Sequence, residues 1–313
     1  MGVFKNINRF AGSSVGALIS GLLACKADAA WIKKEVFGLD FRNFKDDSWG
    51  VLQDAYRLYY NKGWHAGDAL MQKYRELLKA VGADPDITFR GVYEKYGNEL
   101  KVTTTLVCKK RGTLQLKLLF LSRHNYPDLE ICKAVRMSAG FPFFFASVPF
   151  ENTDAIDGGV LLNYPIKAFD LDGQPDPKVI GIRLLTQAEW YENNDSDKTN
   201  SFDISCDCEC KCDTEKSDDC ECEHECEHEY ENECGDGSML KQTANVKEFT
   251  EAIISGWYNH AQQLHENAED WKRTIAVNTY DVSALDFNID ETTKHKLYQS
   301  GYNSAKKFVE NNF

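Results

Sequence analysis

Apolar and polar positions along the chain follow two periods, and each switch between them marks an element. Ile7 to Phe10 lead into a turn, Ala11-Gly12-Ser13-Ser14-Val15-Gly16, after which Ala17–Ala24 has helix-compatible apolar spacing. Strand, tight glycine turn and helix are half of a βαβ unit. Residues 26–82 read as a run of helices. Leu52, Tyr56, Tyr59 and Tyr60 recur at i, i+4, i+7 and i+8, and Leu70, Tyr74, Leu77 and Leu78 repeat that stripe. Asp68 is the expected N-cap of the second stripe. After a turn at Ala83-Asp84-Pro85-Asp86, Thr88 is expected to cap a short helix over Phe89–Tyr96. Leu100–Val107 and Leu114–Leu121 read as partner strands joined by a turn at Gly112. Leu129–Ser138 reads as helix. Val179–Leu185 is a continuous apolar run, expected to be a strand buried on both faces. Helix is expected over about 240–272, strand over Ile275–Tyr280 and a terminal helix over Glu291–Glu310. Strands alternating with helices predict an α/β fold with a mostly parallel sheet.

Residues 193–236 interrupt this pattern. They hold 17 of the 49 acidic side chains and only 3 of the 36 basic ones, so the rest of the chain carries a net charge of about +1 against −13 for the whole. This near-neutral balance of the remainder argues against a nucleic-acid binder. Eight of the eleven cysteines lie in the same segment: Cys206, Cys208, Cys210, Cys212, Cys220, Cys222, Cys226 and Cys234. A segment with so few large apolar residues cannot bury enough surface to offset its ordering entropy. It is expected to be a low-complexity, mobile insertion on a loop, with metal binding through the Cys-x-Cys repeats, His224 and His228, and oxidation sensing, as the other readings. The expected organisation is a first part over 1–192, the insertion over 193–236 and a second part over 237–313. Cys25, Cys108 and Cys132 are expected to be buried thiols in a reducing, cytoplasmic compartment. No apolar run reaches the ~18 residues of a membrane-spanning helix.

Two short motifs carry candidate chemistry. Gly12-Ser13-Ser14-Val15-Gly16 matches G-x-S-x-G with Ser14 at its centre. The strand-to-helix placement suits a sharp, strained turn that presents the Ser14 hydroxyl, with Gly12 and Gly16 allowing close packing. The helix N-terminus adds partial positive charge, and the Val15 N–H is placed to donate to an oxyanion. Asp157-Gly158-Gly159 is the second motif. Asp157 is a carboxylate at neutral pH, able to accept a proton from Ser14 if held within reach. Gly158 and Gly159 would let the backbone approach the serine turn.

Together these motifs resemble the patatin-like phospholipases, which pair a G-x-S-x-G serine with a D-G-G/A aspartate. The likeness extends to Asn61–Leu70, to Asp86-Ile87-Thr88-Phe89, to Ala134-Val135-Arg136-Met137-Ser138-Ala139-Gly140-Phe141-Pro142-Phe143-Phe144, and to Asp157–Ile166 with its Asn163 and Pro165. It covers nearly all of the chain outside the insertion. The resemblance implies a three-layer fold, a mostly parallel sheet sandwiched between helices. It implies hydrolysis of phospholipid or other lipid esters at a membrane surface, with peripheral membrane contact, no cofactor and no metal. Ser14 would be the nucleophile and Asp157 the general base.

The sequence departs from the family in one place. The family's glycine-rich oxyanion loop, roughly G-G-G-x-[KR]-G, precedes the nucleophile by a few tens of residues, whereas only 13 residues precede Ser14 here. The expectation drawn from this is a natural start upstream of Met1. The alternative is a catalytically impaired patatin-fold protein that acts as a binding module, the insertion forming its partner surface. A Ser…Asp…His triad ending at His295 is a weaker enzyme reading, and solvated surface is expected for the histidines. Arg136 is expected to be a structural, ion-paired arginine. Phe141–Phe145 is expected to be core, leaving Trp49, Tyr59, Tyr60 and Trp64 as the aromatic residues suited to touch lipid.

Overall fold

The computed structural model describes residues 6–38, 63–171, 173–194, 266–280, 282 and 288–313. Nine strands are described: β1 (Arg9–Gly12), β2 (Gly63–His65), β3 (Glu99–Lys110), β4 (Thr113–Ser122), β5 (Phe143–Phe145), β6 (Val148–Phe150), β7 (Thr153–Asp157), β8 (Gly181–Leu185) and β9 (Thr274–Asn278). The described helices are α1 (Val15–Ala24), α2 (Ala29–Gly38), α3 (Asp68–Ala80), α4 (Phe89–Tyr96), α5 (Ile131–Ser138), α6 (Gly159–Leu162), α7 (Gln187–Asn194), α8 (Ala268–Lys272) and α9 (Glu291–Asn312). The fold is the expected α/β class.

Strand β3 is the spine. Its β-branched run Val102-Thr103-Thr104-Thr105 suits a pleated, buried surface. β4 pairs antiparallel with β3 along one edge, from Lys101↔Ser122 to Lys110↔Thr113. The other edge is shared. β1 pairs parallel over Arg9↔Glu99 to Gly12↔Val102, and β7 pairs antiparallel over Thr104↔Asp157 to Val107↔Asp154. β1 and β7 therefore run toward each other along one edge, and their C-terminal ends meet at Thr103. β6 extends the sheet beyond β7. Parallel pairing holds β1 to β3, β2 to β5 and β8 to β9, while the β3–β4, β3–β7 and β6–β7 pairs are antiparallel.

Alternation along β3 sends its side chains to two different layers. Leu100, Val102 and Leu106 face a core built with Ala17 and Leu22 of α1, Tyr74, Leu77 and Leu78 of α3, Phe89 and Val92 of α4, and Ile131 and Val135 of α5. On the opposite face Lys101 donates to the Ala168 carbonyl at 2.8 Å, and Thr103 lies against Gly158 at the entry to α6. Helices thus cover both faces. The stripe Leu70, Tyr74, Leu77 and Leu78 is buried as its spacing predicts, each side chain contributing roughly 1.5–3 kcal/mol.

A second unit sits on β8 and β9. Arg273 donates to both carboxylate oxygens of Asp170 at 2.6 Å and to Asp270 at 2.7 Å, and all three groups are buried. Asp176, one turn away, pairs with Arg9 at 3.2 Å and so ties this region back to β1. Burial acts to raise the Asp170 carboxyl, but the Arg273 hydrogen bonds, the Asp176 N–H and the nearby positive charge of Arg273 and Lys167 together hold the group below the usual carboxylate range. α9 is pinned to β9 by Ser300, whose hydroxyl donates to the Asn278 carbonyl at 2.8 Å.

Several expectations are corrected. α3 starts at Asp68, and its N-cap is Gly67 in a left-handed conformation with no side-chain cap. Asp68 instead supplies negative charge in the first turn. Part of the segment read as helical before it is strand β2, paired with β5. Val179–Leu185 was expected to be buried on both faces, but in β8 Ile182 and Leu184 are 66% and 63% exposed while Gly181, Arg183 and Leu185 are buried. Periodicity cannot separate these cases when both faces carry apolar residues. Cys25 and Cys132 are buried, which pushes their thiols up to about 12 and about 11, whereas Cys108 is only half-buried. Phe144 and Phe145 are core, but Phe143 is half exposed. The stripe at Leu52, Tyr56, Tyr59 and Tyr60, Trp49, residues 195–265 with the eight clustered cysteines, and His224, His228, His260 and His265 lie outside the described residues. No helix among the described residues is long and apolar enough to cross a membrane.

Two stability outcomes are expected. Thr88 accepts from the Gly91 N–H at 3.1 Å as predicted, so Thr88→Ala should cost about 1 kcal/mol in urea melts and Asp68→Ala distinctly less. Asp170→Asn should cost about 2–3 kcal/mol at neutral pH, because Arg273 loses one of its two carboxylate partners. In the wild-type protein the unfolded chain takes up the Asp170 proton more readily than the folded one. The Asp170 contribution is therefore complete above about pH 4 and fades as pH falls below it. Urea melts across that window should show a shallower acid loss in Asp170→Asn.

Candidate active site

The site forms where β1 and β7 converge. β1 ends at Gly12, and the chain turns through Ser13 and Ser14 into α1. Ser14 sits at φ 52 and ψ −126, a strained conformation for a residue with a side chain. Two close approaches shape the turn. A Cβ on Gly12 would collide with the Gly16 backbone, and a Cβ on Gly158 would collide with the Thr103 side chain and lie 2.5 Å from its carbonyl oxygen. A Cβ on Gly16 would meet nothing within 4 Å. The glycine that the turn requires is therefore Gly12, with Gly16 as the backbone it touches.

Ser14 and Asp157, 143 positions apart, are brought together. The Ser14 hydroxyl donates to Asp157 Oδ2 at 2.8 Å. The other carboxylate oxygen, Oδ1, accepts from the Gly159 N–H at 2.7 Å. Asp157 is fully buried at the end of β7. The Val15 and Gly16 N–H groups, at the start of α1, have no acceptor among the described residues. No acidic residue occupies the first turn of α1 to offset the positive end of its dipole.

Both halves of the pair rest on the chain that leaves α5. The buried Ser138 hydroxyl accepts from the Ser14 N–H at 2.9 Å. The Ser138 carbonyl accepts from Gly158 N–H at 3.3 Å, and the Gly140 carbonyl accepts from Asp157 N–H at 3.0 Å. Ser138-Ala139-Gly140 is a bridge that sequence reading missed. Its only signal there was membership of the quoted block. Arg136, just upstream, donates to the Ala66 and Ala146 carbonyls at 2.6 and 2.8 Å, which positions the β2–β5 pair.

The imidazoles described here have other attachments. His295 bonds the Glu291 carbonyl within α9 and packs on Phe37. His124 pairs with Glu99 at 2.9 Å, and His65 packs on Phe144. Among the described residues Asp157 is the sole hydrogen-bond partner of Ser14 Oγ.

The family model described as patatin-like phospholipase matches residues 2–170, which hold this whole arrangement. The chain belongs to the patatin-like phospholipase family. An uncharacterized protein of Acanthamoeba polyphaga mimivirus is similar at 27% identity over 97% of this chain and 84% of its own length. The "Probable lipid hydrolase 463L" of Invertebrate iridescent virus 6 is 32% identical over 80 residues, 26% of each chain. The fold is like that of VipD from Legionella pneumophila, with a TM-score of 0.50 and 14% identity, over 98% of this chain and 62% of that one.

Gly158→Ala should destabilise by about 1–3 kcal/mol through overpacking. Adding Thr103→Ala should not restore stability, because the Thr103 carbonyl stays in place. Gly16→Ala should be nearly silent. Thermal melts of the three variants and the wild type check this ordering.

Proposed function

We propose that the chain is a lipid acyl hydrolase working through Ser14 and Asp157. The 2.8 Å hydrogen bond from the Ser14 hydroxyl to the Asp157 carboxylate carries this reading. Ser14 Oγ attacks the ester carbonyl as its proton moves to Asp157 Oδ2. The Gly159 N–H holds Oδ1 and keeps Oδ2 aimed at the serine. The oxyanion forms beside the N-terminus of α1, where the Val15 N–H, with Gly16 next to it, stabilises it. Collapse breaks the ester bond, and the leaving alkoxide takes the proton from Asp157, giving an acyl-serine. Water then attacks the acyl carbonyl, loses its proton to Asp157, and the fatty acid leaves as the proton returns to Ser14 Oγ. Strain at Ser14, offset by the Ser138 bond, keeps the hydroxyl presented. Family membership supports a lipid substrate.

The test is fatty acid release from mixed phospholipid vesicles. Ser14→Ala and Asp157→Asn should each lower release by at least about a thousandfold. Ser138→Ala removes a positioning bond and should lower kcat about tenfold with KM unchanged. Release by Ser14→Ala at the wild-type rate would overturn the proposal, and no release by the wild type would favour a non-catalytic binding role.

A further inference from the structure

Strands β3 and β4 continue past the site as a two-stranded hairpin. Its sequence, Leu106 to Leu118, holds Lys109, Lys110, Arg111 and Lys117 and no acidic residue. Cross-strand pairing puts Lys109 opposite Leu114 and Val107 opposite Leu116, so these four share one face. On that face Leu114 is 72% and Leu116 37% exposed. Lys109, Arg111 and Lys117 are exposed, and among the described residues none of them forms an ion pair. On the neighbouring strand Asp154 pairs with Val107 in register and accepts from Ser147, and Glu151, in the turn between β6 and β7, accepts from Tyr126.

The turn adds a second observation. Arg111 and Gly112 have φ values of 50 and 86. Two positive values mark the primed hairpin turn, whose first position favours Asn, Asp or Gly. An arginine there is conformationally disfavoured, so its charge is retained against a local cost.

We propose that this hairpin docks the protein on an anionic phospholipid surface. Lys109 and Arg111 meet the lipid phosphates, while Leu114 and Leu116 enter the headgroup boundary; Lys117, paired with Leu106 in register, lies on the other face of the hairpin. Leucines spaced among cations fit such an interface better than a purely polar acidic partner. The proposal goes beyond the hydrolase reading and stands apart from it, because docking does not require Ser14.

Co-sedimentation of the full chain with phosphatidylcholine vesicles, with and without phosphatidylserine, tests it. The wild type should bind the phosphatidylserine vesicles preferentially and lose that binding at high salt. Lys109→Glu combined with Arg111→Glu should weaken binding at least about twentyfold. Arg111→Asn suits the turn better than the native residue. It should leave the thermal midpoint unchanged or raised and still weaken binding about fivefold, a loss that misfolding cannot produce. Leu114→Ser should weaken binding to phosphatidylserine vesicles at low salt without changing any charge. Equal wild-type binding to both vesicle types, absence of binding, or full binding by Arg111→Asn and the double variant would each overturn the proposal. Hydrolysis of a short soluble ester should be the same in all hairpin variants and the wild type. If the wild type lacks that hydrolysis but the vesicle results hold, the hydrolase reading fails and the docking surface stands.

Discussion

The structure depends on one shared edge. β3 accepts β1 along its first residues and β7 along its later ones, and both neighbours stop at Thr103. Two strand ends that meet head-on cannot both continue, so each chain must leave the sheet there. One leaves through Ser14 to the face that holds α1, the other through Asp157 to the face that holds α6. Thr103 sits under both exits, its hydroxyl 3.5 Å from the Gly12 carbonyl and its backbone against Gly158. A side chain at Gly12 would push the end of β1 away from the first turn of α1, and one at Gly158 would lift the Asp157 exit off Thr103 of β3. The three layers and the serine–carboxylate contact thus follow from the same packing constraint.

Much of this was legible in the sequence because it is local. A G-x-S-x-G turn between strand and helix and an Asp-Gly-Gly after an apolar run each declare themselves within a few residues. The α3 stripe and the Thr88 cap are likewise set by neighbours three and four positions away. What could not be read is non-local. Nothing near Asp157 says that β7 pairs on the same edge as β1, since strand partners are chosen across the whole fold. Ser138 gives no local sign that its hydroxyl will hold a backbone N–H 124 residues distant. β8 was misread because an apolar strand looks alike whether one or both faces are covered, and β2 because three residues are too few to show a period.

The site is built on backbone more than on side chains. The Asp157 carboxylate is oriented by the Gly159 N–H, Asp157 itself is tethered by the Gly140 carbonyl, and the Ser14 backbone by one hydroxyl. Such contacts tolerate side-chain change at many surrounding positions and fail when the chain path shifts. They also explain why Arg136 matters without approaching the serine. Its bonds to the Ala66 and Ala146 carbonyls fix the β2–β5 pair that follows directly from Gly140.

The distance in sequence between Ser14 and Asp157 has a consequence during synthesis. Ser14 leaves the ribosome with α1 and then β3 behind it, but the carboxylate and the strand β7 that carries it follow only 143 residues later. Until then Ser14 has neither the Ser138 tether nor an acceptor for its proton, and it is an ordinary alcohol of weak nucleophilicity. Under the proposed mechanism, a nascent or half-folded chain is therefore chemically silent toward lipids, and competence arrives when β7 docks.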